Sequence, residues 1–98
     1  MLTSKQRAHL RSIAQGYDTI FFVGKNGIGE ELVKQLDDVL NARELIKAGV
    51  QESCEYTARE AADEIARLTS SEVVQVIGRK FVLWRRSRDP KKRVIELD

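Results

Sequence analysis

Apolar residues near the start of the chain first recur at helical spacing and then form one continuous run. Thr3 and Gln6 are spaced as a capping box ahead of a short apolar stripe, which predicts a helix over residues 4–15. The segment TIFFV, at 19–23, is rich in β-branched and aromatic residues. Its unbroken apolar character predicts a strand that is buried on both faces.

The middle of the chain repeats this helix-and-strand pattern. After a glycine-rich loop, apolar positions recur at helical spacing as far as about Asn41 and predict a second helix. The segment ELIKAGVQE then predicts a second strand, in which Ala48 and Gly49 favour a bulge.

The last part of the chain predicts a third helix and a hairpin. Thr57 and Glu60 form a second capping-box pattern ahead of an apolar stripe that ends at Leu68. In EVVQVIGRKFVLWRRS, two runs of strand-forming residues flank Gly78 and Arg79, and glycine in the first turn position favours a type II′ turn. The order α-β-α-β-α-β-β predicts one α/β domain over residues 1–98.

Length and composition restrict the possible classes of protein. A chain of 98 residues suits one domain with one core, and its 42% apolar and 33% charged residues are typical of a globular chain. No apolar run approaches the roughly 18 residues of a membrane span, and the polar N-terminus has no signal-peptide core. The single Cys54 cannot form an internal disulfide, which favours a reducing compartment. We therefore expect a cytoplasmic protein that has no membrane partner.

The net charge of +2 conceals an uneven distribution. Residues 1–28 carry a balance of +3, residues 29–78 a balance of −6, and residues 79–98 a balance of +5. Two basic ends around an acidic middle can form a surface that binds a polyanion. The same distribution also fits a solvated surface on which the acidic middle neutralises its neighbours, so charge alone leaves both interpretations open.

The loop GKNGIG, at 24–29, does not have the spacing of a mononucleotide site. The dinucleotide fingerprint requires G-x-G-x-x-G, whereas this order is G-x-x-G-x-G. A P-loop requires four residues between its glycines and a following lysine, and Gly24 and Gly27 have two residues between them.

The remaining interpretation is a G-x-x-G loop of the KH type, which clamps a nucleic-acid backbone. Glycines let the main chain approach phosphates closely, Lys25 offers a charge, and Asn26 offers amide donors. Glu30 and Glu31, in the first turn of the next helix, would repel a phosphate there, so the loop is the better contact. The motif alone is weak evidence, because any tight strand-to-helix turn can use two glycines.

Longer segments carry a resemblance to a known family. LTSKQRAHLRSIA, FVGKNGIGEELVKQLDDVLNARELIK and VVQVIGRKFVLWRRS occur in the order and spacing of the CRM domain, and the chain most resembles its free-standing bacterial YhbY-type form. The resemblance covers residues from about 2 to 97. It departs from the family at Gly29, where relatives often carry Thr or Ser as a helix cap, and at Ala48-Gly49, where they tend to carry a β-branched and a basic residue.

The resemblance implies a fold, a partner and a set of contact residues. The implied fold is a compact α/β domain with a mixed four-stranded sheet packed by helices, similar to the C-terminal domain of a bacterial translation initiation factor. The implied partner is structured RNA, and in the bacterial branch precursor large ribosomal subunits. The implied RNA face consists of the loop and the KQR segment of the first helix, which correspond to Gly24, Lys25, Asn26 and Gly27 and to Lys5, Gln6 and Arg7.

The remaining candidate residues indicate no catalysis and no cofactor. His9 is the only histidine, which excludes histidine pairs as metal or catalytic groups, and no second cysteine accompanies Cys54. Trp84 could stack on a base, but packing against a helix or the tail is the simpler interpretation. We expect no enzyme activity, no metal and no small-molecule substrate.

The basic residues near the two ends complete the candidate RNA-binding set. Arg11 joins Lys5 and Arg7 on the first helix and would supply longer-range attraction. Arg85 and Arg86 begin a dense basic run that extends to Arg93 and can hardly be buried. This run would contact phosphate if it folded back beside the loop.

Two hypotheses of different classes follow from the sequence. The first is a monomeric, non-enzymatic protein that binds ribosomal RNA during assembly of the large subunit. The second is a protein-interaction module that docks on an assembly factor or ribosomal protein, with the acidic middle meeting a basic partner. DNA binding ranks third, because no recognition helix is evident.

Overall fold

The structure is a computed structural model that describes residues 2–93 and 95–97. Its elements follow the predicted order α-β-α-β-α-β-β, with a short 3₁₀ turn near the end of the chain. The helices are α1 (Ser4–Ala14), α2 (Glu30–Arg43) and α3 (Ala58–Thr69). The strands are β1 (Phe21–Val23), β2 (Leu45–Val50), β3 (Glu72–Ile77) and β4 (Lys80–Trp84), and the 3₁₀ turn is Pro90–Lys92.

Local hydrogen bonds start two of the helices where the sequence predicts. The Thr3 hydroxyl accepts from the Gln6 N–H at 3.1 Å while the Gln6 side chain accepts from the Thr3 N–H, and Thr57 and Glu60 repeat this arrangement. Both predicted capping boxes are therefore confirmed. Helix α2 begins differently, because its N-cap Gly29 has no side chain that could accept from the first free N–H groups.

The four strands form one mixed sheet in the order β1-β2-β4-β3. Strand β1 is parallel to β2, with α2 as the crossover, and the other two pairings are antiparallel. Ile77 pairs with Lys80, so Gly78 and Arg79 form the predicted two-residue turn. The φ of Gly78 is +58° and that of Arg79 is not positive, which agrees with a type II′ turn.

Helices cover both faces of the sheet. One face, here called the α1 face, packs against α1 and the end of the chain around Leu10, Leu45 and Val82. The opposite face packs against α2 and α3. Its buried cluster includes Val23, Leu36, Leu40, Ile46, Ala48, Val50, Ala61, Ala62, Ile65, Phe81 and Leu83. Among the described residues, no helix is long and apolar enough to cross a membrane.

The predictions for β1 and for the stripe of α3 need correction. Strand β1 was expected over 19–23 and buried on both faces, but it forms only over Phe21–Val23, and the side chain of Phe22 is 50% exposed. The reason for this exposure is that β1 lies at the edge of the sheet, whereas α1 packs mainly against β2, β3 and β4. Leu68 was expected in the buried stripe of α3, but it is 43% exposed at the margin of the helix.

The bulge predicted at Ala48-Gly49 is wrong. Pairing runs without a shift through both residues on both sides of β2, and the irregularity lies instead in β3, between Val73 and Gln75. Gly49 serves close approach rather than a bulge, since a Cβ there would lie 2.9 Å from the carbonyl oxygen of Arg79.

A buried glutamate joins the end of α2 to the C-terminal segment. Glu44 is fully buried and has a φ of +66°, which few residues other than glycine adopt. Its carboxylate accepts from the main-chain N–H groups of Ser87 at 2.7 Å and Ile95 at 3.1 Å. These bonds hold the C-terminal segment against the ends of β2 and β4.

Candidate nucleic-acid interface

The residues Gly24–Gly27 form a tight turn, here called the GKNG turn. The N–H of Gly27 donates to the carbonyl oxygen of Gly24 at 3.0 Å, which places Lys25 and Asn26 at the exposed corner. The corner residues do not have positive φ, whereas Gly27 has φ +72°. This is the pattern of a type I turn followed by a left-handed glycine, so the chain reverses sharply and presents two polar side chains to solvent.

Two residues that the sequence analysis missed lie against this turn. A Cβ at Gly24 would be 2.7 Å from Oε1 of Gln51, and a Cβ at Gly27 would be 3.5 Å from the Tyr56 ring. The N–H of Gln51 donates to the carbonyl oxygen of Val23 at 2.8 Å, which extends the pairing of β1 with β2 to the turn itself. The parallel pairing brings Gln51 to the turn and the loop after β2 brings Tyr56, so no local pattern in the sequence could have found them.

The start of α2 is less suited to an anion than the turn is. Gly29 leaves the first N–H groups of the helix without a side-chain cap, which by itself would favour an anion. Glu30 and Glu31 follow directly and are exposed, so their charges oppose a phosphate at this position. These two carboxylates belong to the first turn of α2 and not to the corner of the GKNG turn.

The sheet has two ends, and the GKNG turn lies at only one of them. The loop end is formed by Val23, Val50 and the β3–β4 turn, and the opposite tail end is formed by Leu45 and Trp84. The five steps of β2 between Leu45 and Val50 separate the two ends by roughly 17 Å.

The basic side chains of α1 differ in how exposed they are. Lys5 is exposed, whereas Arg7 and Arg11 are half-buried. Nη1 of Arg7 donates to the carbonyl oxygen of Val73 and lies 3.4 Å from that of Val74. These contacts hold the first half of α1 against the start of β3, so Lys5 and Arg7 lie toward the tail end and not beside the GKNG turn.

The expectation that the basic run can hardly be buried is wrong for Arg85. Its side chain is 9% exposed and forms an ion pair with the carboxylate of Asp37. It also donates to the carbonyl oxygens of Thr69 at 2.7 Å and Asp37 at 3.0 Å, and to Oδ1 of Asn41 at 2.9 Å. The guanidinium fills the gap between α2 and the end of α3, where long-range contacts surround it with acceptors. Arg86, the next residue, is exposed.

The basic run does not fold back beside the GKNG turn. It follows β4 at the tail end of the sheet, and its 3₁₀ turn contacts α2. Arg88 reaches the Asp37 carboxylate at 3.4 Å, and Nε of Arg93 donates to the Ser87 carbonyl oxygen at 2.9 Å. The condition that the sequence analysis set for a shared phosphate-binding surface is therefore not met.

Trp84 adopts the simpler of its two interpretations, and Cys54 is a partly buried core residue. Trp84 is half-buried and packs against the cluster on the α1 face, and Cys54 packs against the cluster on the opposite face. Within 2–93 and 95–97, no group of three His, Cys, Asp or Glu side chains could hold a metal ion.

This fold and this turn define a family. The chain belongs to the CRS1 / YhbY (CRM) domain family, whose sequence profile matches residues 2–85. It is 40% identical over 92 residues to the Bacillus subtilis protein named Probable RNA-binding protein YqeI, with 94% of this chain and 96% of the relative covered. It is 32% identical over 90 residues to a Haemophilus influenzae protein named RNA-binding protein, with 92% and 91% covered.

A solved structure is similar in both fold and sequence. The solution structure of the Staphylococcus aureus protein SAV1595 superposes with a TM-score of 0.69 at 42% identity, covering 98% of this chain and 100% of that one. The predicted family and the predicted α/β fold with its mixed four-stranded sheet are confirmed.

Proposed function

We propose that this protein is a non-enzymatic RNA-binding protein that engages folded ribosomal RNA through the GKNG turn. The observation that carries the proposal is the exposed corner of Lys25 and Asn26, held between two glycines, in a chain whose relatives are named RNA-binding proteins. The contact is mainly with the RNA backbone, because the corner offers a cation and amide donors but no aromatic ring.

The geometry of the turn supports contact with a phosphate or ribose. Neither Gly24 nor Gly27 carries a side chain, so the main chain around the corner can approach the RNA backbone closely. Lys25 supplies the positive charge, and Asn26 supplies amide donors beside it. The left-handed φ of Gly27 keeps both side chains at the outside of the reversal.

Longer-range attraction comes from cations outside the turn. Lys5, Arg11 and Arg86 remain candidates for this role, whereas Arg7 and Arg85 donate to internal acceptors and are weaker candidates. If about five phosphates are neutralised, the affinity falls roughly 100-fold between about 50 and about 200 mM salt.

The cellular role that we propose is assembly of the large ribosomal subunit in the cytoplasm, with the protein acting as a monomer. The resemblance to the bacterial YhbY-type proteins supports it. A tagged protein should co-sediment with precursor large subunits in a sucrose gradient, and nuclease treatment should release it. Co-sedimentation that survives nuclease would instead favour docking on a ribosomal protein or assembly factor.

The direct test compares the wild type with the double variant Lys25→Asp/Asn26→Asp. Binding to a structured ribosomal RNA fragment is measured at two salt concentrations, with circular dichroism and a melting curve on each protein. The variant should keep its fold, because both side chains are exposed, and should lose at least about tenfold in affinity at low salt.

A matched control separates the turn from overall charge. Lys34→Asp/Gln35→Asp makes the same change in net charge at two exposed positions of α2. It should weaken binding far less than the turn variant does. Equal losses in the two variants, or wild-type affinity in the turn variant, would show that the GKNG turn is only a turn.

A further inference from the structure

Helix α1 covers only part of its face of the sheet. The helix ends at Ala14 and packs against β2, β3 and β4. Beyond that end, two large apolar side chains are exposed on the two edge strands, Phe22 at 50% and Ile77 at 63%. Single exposed apolar residues are common on proteins, so the arrangement of this pair decides whether the two side chains form a binding surface.

Strand pairing places the two side chains in one row across the sheet. Phe22 pairs with Gly49, Gly49 with Lys80, and Lys80 with Ile77. Their neighbours Phe21, Ala48, Phe81 and Val76 all pack on the α2/α3 side, so alternation turns this row toward the α1 face. At about 4.8 Å between strands, the row spans roughly 14 Å of open sheet. The four residues of the row, Phe22, Gly49, Lys80 and Ile77, are here called the platform.

The phenylalanine ring lies over the glycine beside it. A Cβ at Gly49 would lie 3.3 Å from Cε1 and 3.4 Å from Cδ1 of Phe22. The absence of a side chain at Gly49 therefore lets the ring rest across β2 instead of standing out from the edge of the sheet. The Cδ1–Cε1 edge of the ring lies against the sheet at Gly49, and half of the side chain remains open to solvent.

The surroundings of the ring are positively charged. The next row of the sheet adds Lys47, which is half-buried, and Lys80 lies within the platform itself. A shallow concavity of about 300 Å³ next to the platform is lined by Ala14, Gln15, Lys47, Gln75, Ile77 and Lys80, none of which is acidic. Glu52, at the margin, lies 3.8 Å from Arg79, so its charge is offset locally.

We propose that the platform stacks an unpaired base of the bound RNA on Phe22, while Lys47 and Lys80 contact the flanking phosphates. Aromatic rings on a sheet, combined with nearby cations, suit single-stranded nucleic acid because every base has a π-face and every nucleotide has a phosphate. This inference rests on the proposed RNA binding. It adds a second contact, in which the platform binds an unpaired nucleotide.

The platform is continuous with the GKNG turn. Phe22 lies two residues before Gly24, about 7 Å along β1. The Gln51 side chain fills the space between them, since it touches Gly24 and lines a shallow depression together with Phe22 and Lys80. One RNA strand can therefore place its backbone on the turn and an adjacent unpaired base on the platform.

The test uses two RNA hairpins that share a stem and differ in an unpaired tail of about ten nucleotides. One tail carries its bases and the other is abasic, so that the phosphates are retained and only stacking is removed. Affinities are measured by fluorescence anisotropy at one salt concentration. The wild type should bind the hairpin with bases about tenfold more tightly than the abasic one. Phe22→Ala should reduce this ratio to about one, and Phe22→Trp should preserve it.

Two further variants separate stacking from other effects. Leu68→Ala removes an apolar side chain of similar exposure on the opposite side of the sheet and should leave the ratio unchanged. Lys25→Asp/Asn26→Asp should weaken binding to both hairpins alike and leave the ratio intact.

Equal wild-type affinity for the two hairpins would overturn the platform while leaving the proposed function standing. Failure of the wild type to bind either hairpin would overturn both. A Phe22-dependent dimer in sedimentation, with no preference for the tail that carries bases, would show that this face joins two copies of the chain instead.

Discussion

Replacing Arg85 by alanine should lower the free energy of unfolding without directly removing an RNA contact. The side chain is 9% exposed and connects α2 to the end of α3 through Asp37, Asn41 and the carbonyl oxygen of Thr69. The substitution leaves these acceptors without their donor and removes the partner of a carboxylate that is itself 26% exposed.

The magnitude follows from the burial of the two partners. Removing one member of a buried ion pair costs about 3–5 kcal/mol. The lower end of this range applies here, because Asp37 remains partly hydrated and keeps its ion pair with Arg88, whose Nη1 lies 3.4 Å from Oδ2 of Asp37. Nε of Arg85 is also buried without a partner among the described residues, so its removal relieves a cost. We expect a loss of about 3 kcal/mol, a large share of the roughly 5–15 kcal/mol typical of native proteins.

Thermal and urea unfolding, followed by circular dichroism, measure this effect. For a domain of this size, about 3 kcal/mol corresponds to a fall in Tm of roughly 12–24 °C. Arg86→Ala is the matched control, since it removes the same charge from the neighbouring exposed position and should stay within about 0.5 kcal/mol of the wild type. RNA affinity is then compared at a temperature where both variants are folded.

A different combination of stability and affinity would show that Arg85 has another role. If Arg85→Ala lost less than about 1 kcal/mol of stability and the folded variant bound RNA as weakly as the Lys25→Asp/Asn26→Asp variant, Arg85 would be an RNA contact and not an internal one. A loss of more than about 1 kcal/mol of stability in Arg86→Ala would equally contradict the structure, since that side chain is exposed.

Three further predictions concern stability. Glu44→Ala should lower the free energy of unfolding by about 2–4 kcal/mol in urea titrations, because two buried N–H groups of the C-terminal segment lose their acceptor. Gly27→Ala should cost about 1–2 kcal/mol, because alanine at φ +72° is strained even though its Cβ has room. Hydrogen bonds from the N–H and side chain of Thr57 hold the pKa of Glu60 below its ordinary value of 4.5. The resulting stabilisation is present above that value and is lost as the pH falls through the lower folded-state pKa, so Glu60→Gln should flatten the acid limb of the stability curve.

Each of these predictions has a control within the chain. Glu44→Gln keeps one acceptor oxygen and should lie between the wild type and Glu44→Ala. Gly24→Ala meets only the flexible end of Gln51 and has no left-handed φ, so it should cost less than Gly27→Ala. An equal cost at the two glycines, no loss in Glu44→Ala, or an unchanged acid limb in Glu60→Gln would contradict the respective argument.

Features that depend on neighbours along the chain can be read from the sequence alone. The order of the elements, both capping boxes, the turn at Gly78-Arg79 and the reversal at Gly24–Gly27 were predictable from it. These features arise from side-chain periodicity, from hydrogen bonds over three or four residues, and from glycine's access to positive φ. All of these can be read within a short window of sequence.

In contrast, the side of each element that meets solvent and the contacts between distant residues depend on the tertiary fold. Phe22 is a large apolar residue of the kind usually found in a core, yet it is exposed because β1 lies at the sheet edge. Arg85 belongs to a basic run, yet it is buried because Asp37 and Asn41 converge on it from helix α2. The pairings of Gln51 with the GKNG turn and of the platform residues with each other likewise join separate segments. Their free energies depend on strand order and helix packing, and no local pattern of residues encodes those.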